Sequence, residues 1–123
     1  IAGPVSAAKA RALSGADGVM IGRAARGRPW LLAEVAHALF GAPAPRVPEG
    51  AALADMVAEH YEAMLGFYGA DLGGRVARKH LGWYMDTADA DAGLRRQVLT
   101  AGTPAQVLRL LPELFGETER AAA

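Results

Sequence analysis

Apolar and polar positions repeat with different rhythms along this chain, and each rhythm predicts its own element. Over 51–69, "AALADMVAEHYEAMLGFYG", Leu53, Val57, Tyr61, Met64, Leu65 and Tyr68 share one face at helical spacing, with Asp55, Glu59 and Glu62 opposite. Three further helices are predicted, over 72–86 ("LGGRVARKHLGWYMD"), 90–100 ("ADAGLRRQVLT") and 103–116 ("TPAQVLRLLPELFG"). In the last of these Thr103 is the N-cap, Pro104 the first helical residue and Gly116 the position just past the end. Short connections make neighbouring helices antiparallel, so 50–116 reads as a small helical bundle, with a frayed tail over 117–123.

The first third of the chain has another rhythm. Ser6 caps a predicted helix over "AAKARAL", which Gly15 ends. Residues 18–22, "GVMIG", form a short β-branched apolar run between glycines, and this predicts a buried parallel strand. Ile1-Ala2-Gly3 reads as the tail of an earlier strand. Pro29 suits the first turn of a helix over "WLLAEVAHALFG", with Leu31, Val35, Ala38 and Leu39 at helical spacing and Gly41 as the stop. The expected fold class is therefore α/β plus all-α. One pair of strands cannot cover its own faces, so the rest of the sheet is expected in residues outside this chain. The proline-rich "APAPRVPEG" marks a linker. The expected organisation is 1–40 as the end of an α/β domain, 41–49 as linker and 50–123 as a helical domain.

Composition narrows the picture. The chain is 52% hydrophobic and 21% charged, a globular balance. Thirteen basic and thirteen acidic residues cancel, but they are not evenly spread. Residues 1–33 hold Lys9, Arg11, Arg23, Arg26 and Arg28 against Asp17 alone. Residues 34–71 set Arg46 against Glu34, Glu49, Asp55, Glu59, Glu62 and Asp71, and Arg75, Arg78 and Lys79 turn the sign back. Such asymmetry points to anionic ligands. Without cysteine, the chain holds no disulfide, thiolate metal site or cysteine nucleophile. No apolar run is long enough to cross a bilayer, and no signal peptide opens the chain, so a soluble cytoplasmic protein is expected. His37 and His60 have no partners at ligand spacing, so no metal site is predicted.

Two basic stretches carry candidate chemistry. A parallel strand ending at Gly22 would turn its following N–H groups, with Arg23, towards an anion. In eight-stranded α/β barrels the loops after the last two strands commonly hold phosphate, and Gly3 and Gly22 would close two such strands. Turn chemistry and solvated arginines are the competing reading. In "GRVARKHLGWY", Arg75, Arg78, Lys79 and Gly82 fall within roughly a third of a helix circumference, with Val76 and Trp83 beside them. That is a cationic ridge on which Gly82 lowers the wall, suited to phosphate oxygens with an aromatic at its edge. A solvated face with Trp83 in the core is the alternative. His80 points among apolar neighbours and reads as a hydrogen-bonded core residue.

Together "GADGVMIGRAARGRPW" and "RVARKHLGWY", in this order, closely resemble the C-terminal part of bacterial tRNA-dihydrouridine synthases, in the branch also called nitrogen-regulation proteins. The resemblance runs from about Ile1 to about Gly116. It implies the last strand-helix units of a TIM barrel that holds FMN, followed by a helical domain that grips tRNA. It also implies reduction of the flavin by NADPH, hydride transfer to the C5=C6 bond of a flipped-out uridine, and a proton from a barrel cysteine. By the same resemblance Gly3, Gly22 and Arg23 would lie at the FMN phosphate, and Arg75, Arg78, Lys79 and Trp83 on the RNA-facing surface. Arg26 and Arg28 would serve either end or flank the site. Where the family carries an asparagine-glycine-aspartate turn, this chain has "IAGPVS", and no catalytic residue falls within it. The remaining alternatives are another FMN-dependent barrel oxidoreductase and a free-standing helical RNA-binding module.

Overall fold

The computed structural model describes the backbone of residues 1–122 and the side chains of residues 1–116; the frayed tail expected over 117–123 falls outside the described side chains. The chain divides into two compact units, Ile1–Val47 and Pro48–Ala123.

In the first unit, helix α1 spans Pro4–Ser14 and helix α2 spans Leu31–Phe40, with a short 3-10 turn at Arg23–Ala25 between them. The helix α1 starts a turn earlier than expected, because Pro4 fits the first helical position. Ser6 lies inside it rather than at its cap, and its Oγ accepts from the Ala2 and Gly3 amides at 2.9 and 3.1 Å. Gly15 and Gly41 end the two helices in the left-handed region, at φ 71° and 72°. Ala7, Leu31 and Val35 form a small core, against which Val19, Ile21, Ala24 and Leu39 pack.

The α/β part of the expected fold class is overturned. No strand occurs among the described residues, so neither 18–22 nor Ile1-Ala2-Gly3 forms part of a sheet, and no strand-helix unit of a TIM barrel is present. Within this run Val19 and Ile21 turn towards the core while Met20, expected in a buried strand, is 85% exposed. A strand also needs a neighbour to take its N–H and C=O groups, and the described chain offers this segment none. Residues 18–22 therefore run without regular structure.

The second unit is helical throughout: α3 Gly50–Tyr68, α4 Ala70–Thr87, α5 Ala92–Leu99 and α6 Pro104–Ala122. Helix α3 packs on α4 and α6, and α5 packs on α4 and α6. Val57, Leu81, Met85, Val98, Leu111 and Phe115 fill the core. Leu53, Tyr61 and Met64 are buried as the pattern predicts, but the face runs out at the last turn, where Phe67 and Tyr68 are exposed. Helix α6 passes through Gly116 instead of stopping before it. At the crossing of α3 and α4 the backbones come very close. A Cβ on Gly73 would stand 2.7 Å from the Met64 carbonyl oxygen and 2.9 Å from Leu65 Cα.

Candidate nucleic-acid interface

Helix α4 presents Arg75, Arg78 and Lys79 on its exposed side. Arg75 pairs with Asp71 one turn earlier at 3.4 Å, with both side chains mostly in solvent. An exposed pair of that kind holds its partner weakly, about 0.3–0.5 kcal/mol in helices, and is easily exchanged for another anion. Arg78 and Lys79 have no ion pair among the described residues.

Gly82 does not lower a wall on this ridge. It is buried, and its carbonyl accepts from Arg95 Nη1 of α5 at 3.2 Å. The same guanidinium pairs with Asp86, and a Cβ at Gly82 would meet Arg95 Nη2 at 3.5 Å. An arginine from the same chain covers the glycine, at a distance where an added Cβ would make ordinary van der Waals contact. Arg95 thus covers Gly82 across the α4–α5 junction with its charge paired to Asp86, a placement that helical spacing within one element does not reveal.

Trp83 is half-buried, neither in the deep core nor free on the surface. It stands at one end of an edge-to-face series of rings. His80 meets Trp83 with centroids 4.9 Å apart, and His60 of α3 meets His80 at 5.1 Å. His60 Nδ1 shares a 3.0 Å hydrogen bond with the Tyr84 hydroxyl. His80, expected as a hydrogen-bonded core residue, is half-buried and held by ring packing. Burial lowers the pKa of His60, and burial with the neighbouring His60 lowers that of His80. Burial likewise raises that of the Tyr84 phenol. At neutral pH these groups are uncharged, so the cations of α4 set the sign of this surface.

In the first unit, Gly3 is the N-cap residue of α1, and Gly22 precedes the 3-10 turn that Arg23 opens. Arg28 draws the two places together. Its Nη2 donates to the Ala2 carbonyl at 2.6 Å and its Nε to the Ala24 carbonyl at 3.0 Å. Arg28 is therefore committed to holding the backbone. Gly22 and Arg23 are exposed, and nothing lies within 4 Å of a Cβ built on Gly22. These residues would fit the phosphate end of a nucleotide cofactor: an open glycine, the first amides of a turn and an exposed guanidinium.

Among the described residues no helix is long and apolar enough to cross a membrane. The pattern of the family described as "Dihydrouridine synthase (Dus)" matches residues 1–119. A "Probable tRNA-dihydrouridine synthase" of Rhodobacter capsulatus is 53% identical over 116 residues, 94% of this chain and 35% of the relative. The "tRNA-dihydrouridine synthase B" of Xanthomonas axonopodis pv. citri is 45% identical over 112 residues, 91% of this chain and 34% of the relative. A "Probable tRNA-dihydrouridine synthase" of Mycobacterium tuberculosis is 40% identical over 103 residues, 84% of this chain and 26% of the relative. The chain spans about a third or less of the length of these curated relatives. With its pattern matched over 1–119, the chain belongs to the dihydrouridine synthase family.

Proposed function

We propose that this chain supplies the tRNA-gripping part, and one edge of the cofactor site, of a flavin-dependent tRNA-dihydrouridine synthase. The observation that carries the reading is the exposed ridge of Arg75, Arg78 and Lys79 on α4, flanked by half-buried Trp83. Phosphates neutralised by such a ridge fix the register of an RNA strand, and an aromatic at its edge can take a stacked base. The division into 1–40, a linker at 41–49 and an RNA-binding domain at 50–123 belongs to the same reading.

In this reading Gly22 and Arg23, with Gly3 beside them, receive the FMN phosphate, and Arg28 keeps the two segments in register. Bound FMN, reduced by NADPH, would supply the hydride for the uridine C5=C6 bond. The residues of this chain bind and orient; with no cysteine present, proton donation is assigned to none of them.

The test is tRNA affinity of the 123-residue chain measured against salt by fluorescence anisotropy. Lys79→Ala should weaken binding and reduce the slope of log K against log salt by about one, as expected for a lost phosphate contact. An unchanged affinity and slope in both Lys79→Ala and Arg75→Ala would remove the ridge from the interface.

A further inference from the structure

Between α3, α4 and the start of α6 lies a cavity of about 80 Å³, lined among others by Tyr61, Gly74, Arg78, Thr103 and Pro104. Arg78 is the one charged side chain on its wall, and no carboxylate faces it. Tyr61 is only 4% exposed, yet its hydroxyl has no hydrogen-bond partner among the described residues. No buried side-chain nitrogen or oxygen among those residues is left unsatisfied, so this hydroxyl keeps some exposure, and Tyr61 stands on the cavity wall. A phenol buried to that degree ordinarily finds a partner. Here the partner's place faces outwards, next to Arg78.

The rim at Thr103 adds to this. The amides of Gly102 and Thr103 donate to Gln106 Oε1 at 2.9 and 3.2 Å, and the Gln106 amide donates to Thr103 Oγ1 at 3.3 Å. The start of α6 is thus self-capped and contributes its positive dipole end rather than bare N–H groups. The Thr103 hydroxyl accepts in that cap, which leaves its hydrogen free to donate. Gly74, one turn before Arg78, keeps the mouth open, since nothing lies within 4 Å of a Cβ built there. On a wall that also carries Leu65, Leu81 and Val107, the polar side chains are therefore a guanidinium and two hydroxyls, each able to donate, and the ligand they suit is an anion. The volume is well below the roughly 300 Å³ at which pockets begin to hold drug-sized ligands, so a nucleoside or a flavin ring is too large while a phosphoryl group is not.

We propose that this cavity seats a single phosphate of an RNA backbone, held by the Arg78 guanidinium, the Tyr61 hydroxyl and the Thr103 hydroxyl at the head of α6. This rests on reading the α4 ridge as an RNA face, since Arg78 belongs to both. A strand lying along Arg75 and Lys79 would place one phosphate in the seat and the others on the open ridge. Tyr61 thereby changes role: read from the sequence as a core residue, it supplies a neutral donor. Arg78 lies close enough to Tyr61 to offset part of the rise that burial imposes on the phenol, and the phenol keeps its proton at neutral pH.

The experiment uses the 123-residue chain with two probes, inorganic phosphate and a tRNA transcript. In an NMR titration with inorganic phosphate at fixed ionic strength, the Arg78 Nε–Hε resonance should shift saturably, and Tyr61→Phe should weaken that binding about 10- to 100-fold, as for one lost hydrogen bond to a charged group. A shift that never saturates, or one that Tyr61→Phe leaves unchanged, overturns the seat. With tRNA, Tyr61→Phe should cost a similar factor without altering the salt slope, because no charge is removed. If Lys79→Ala weakens tRNA binding while Tyr61→Phe does not, the RNA face stands and the seat falls. If phosphate saturates the site while neither Lys79→Ala nor Arg75→Ala affects tRNA, the RNA assignment is overturned and the site takes free phosphate. Thr103→Val gives the same readouts should Tyr61→Phe fail to fold.

Discussion

Gly73 shows how much one hydrogen atom in place of a methyl decides at the residue scale. Its Cα faces the backbone of α3, where the atoms nearest to an added Cβ are the Met64 carbonyl oxygen at 2.7 Å and Leu65 Cα at 2.9 Å. Neither can rotate away, so Gly73→Ala must push the two helices apart. The expected cost is about 1–3 kcal/mol of overpacking, seen as a lower urea midpoint at unchanged m-value. Gly74→Ala, with open space around it, serves as the control. A pair of equal midpoints would show that α3 and α4 do not touch at Gly73. The histidines between these helices carry a pH dependence of definite sign. Burial holds His60 and His80 below the ordinary value of 6.5, so the unfolded chain binds protons more readily than the folded one. Their contribution is intact above about 6.5 and is lost as pH falls from there through the depressed folded values. Thermal melts between pH 7.5 and 5.5 should show the melting temperature dropping on the acid side. A flat profile would mean that these rings are not desolvated.

At the scale of elements, helix ends are written into local chemistry. Thr103, Pro104 and Gln106 form a reciprocal cap whose parts sit within four residues of one another. Gln106→Ala strands the Gly102 and Thr103 amides and should lower stability by about 1 kcal/mol in urea denaturation. No measurable change would show that solvent satisfies those amides equally well. Asp91 does similar work for α5, accepting from the Leu94 amide at 3.0 Å. The helices of the second unit were legible for this reason: apolar spacing locates their faces, and capping residues locate several of their ends. The stop expected at Gly116 failed because glycine ends a helix only when the following backbone leaves it, and here it does not. Residues 18–22 failed differently. Their β-branched apolar run between glycines suits a strand, but a strand is a property of two segments, and its second member is not among the described residues.

At the scale of the whole molecule, the two units have unequal cores. The first buries Ala7, Leu31 and Val35, while Val5, Leu13, Met20, Leu32 and Phe40 remain exposed. The second buries Phe115, Leu81, Met85, Leu111, Val57 and Val98. Because opening free energy follows the buried contacts that an opening breaks, the slowest amide exchange is expected around Val57, Leu81 and Leu111. Amides at 18–22, with no ladder to hold them, should exchange at close to the unprotected rate. Hydrogen-exchange mass spectrometry of the intact chain measures both. Protection at 18–22 matching that of α3 would contradict this ordering.

The family, the helical second unit and the basic stripe of α4 can all be read along the chain, because motifs, apolar periods and charges on one helix depend on residues a few positions apart. Three features came only with the fold. Arg95 covers Gly82, Tyr61 opens onto Arg78, and the head of α6 closes the cavity between them. Each joins residues from different helices, whose meeting depends on crossing geometry and side-chain volume that local spacing does not encode. The strand at 18–22 was lost for the same physical reason in reverse: the local pattern was present and the partner that would complete it was not.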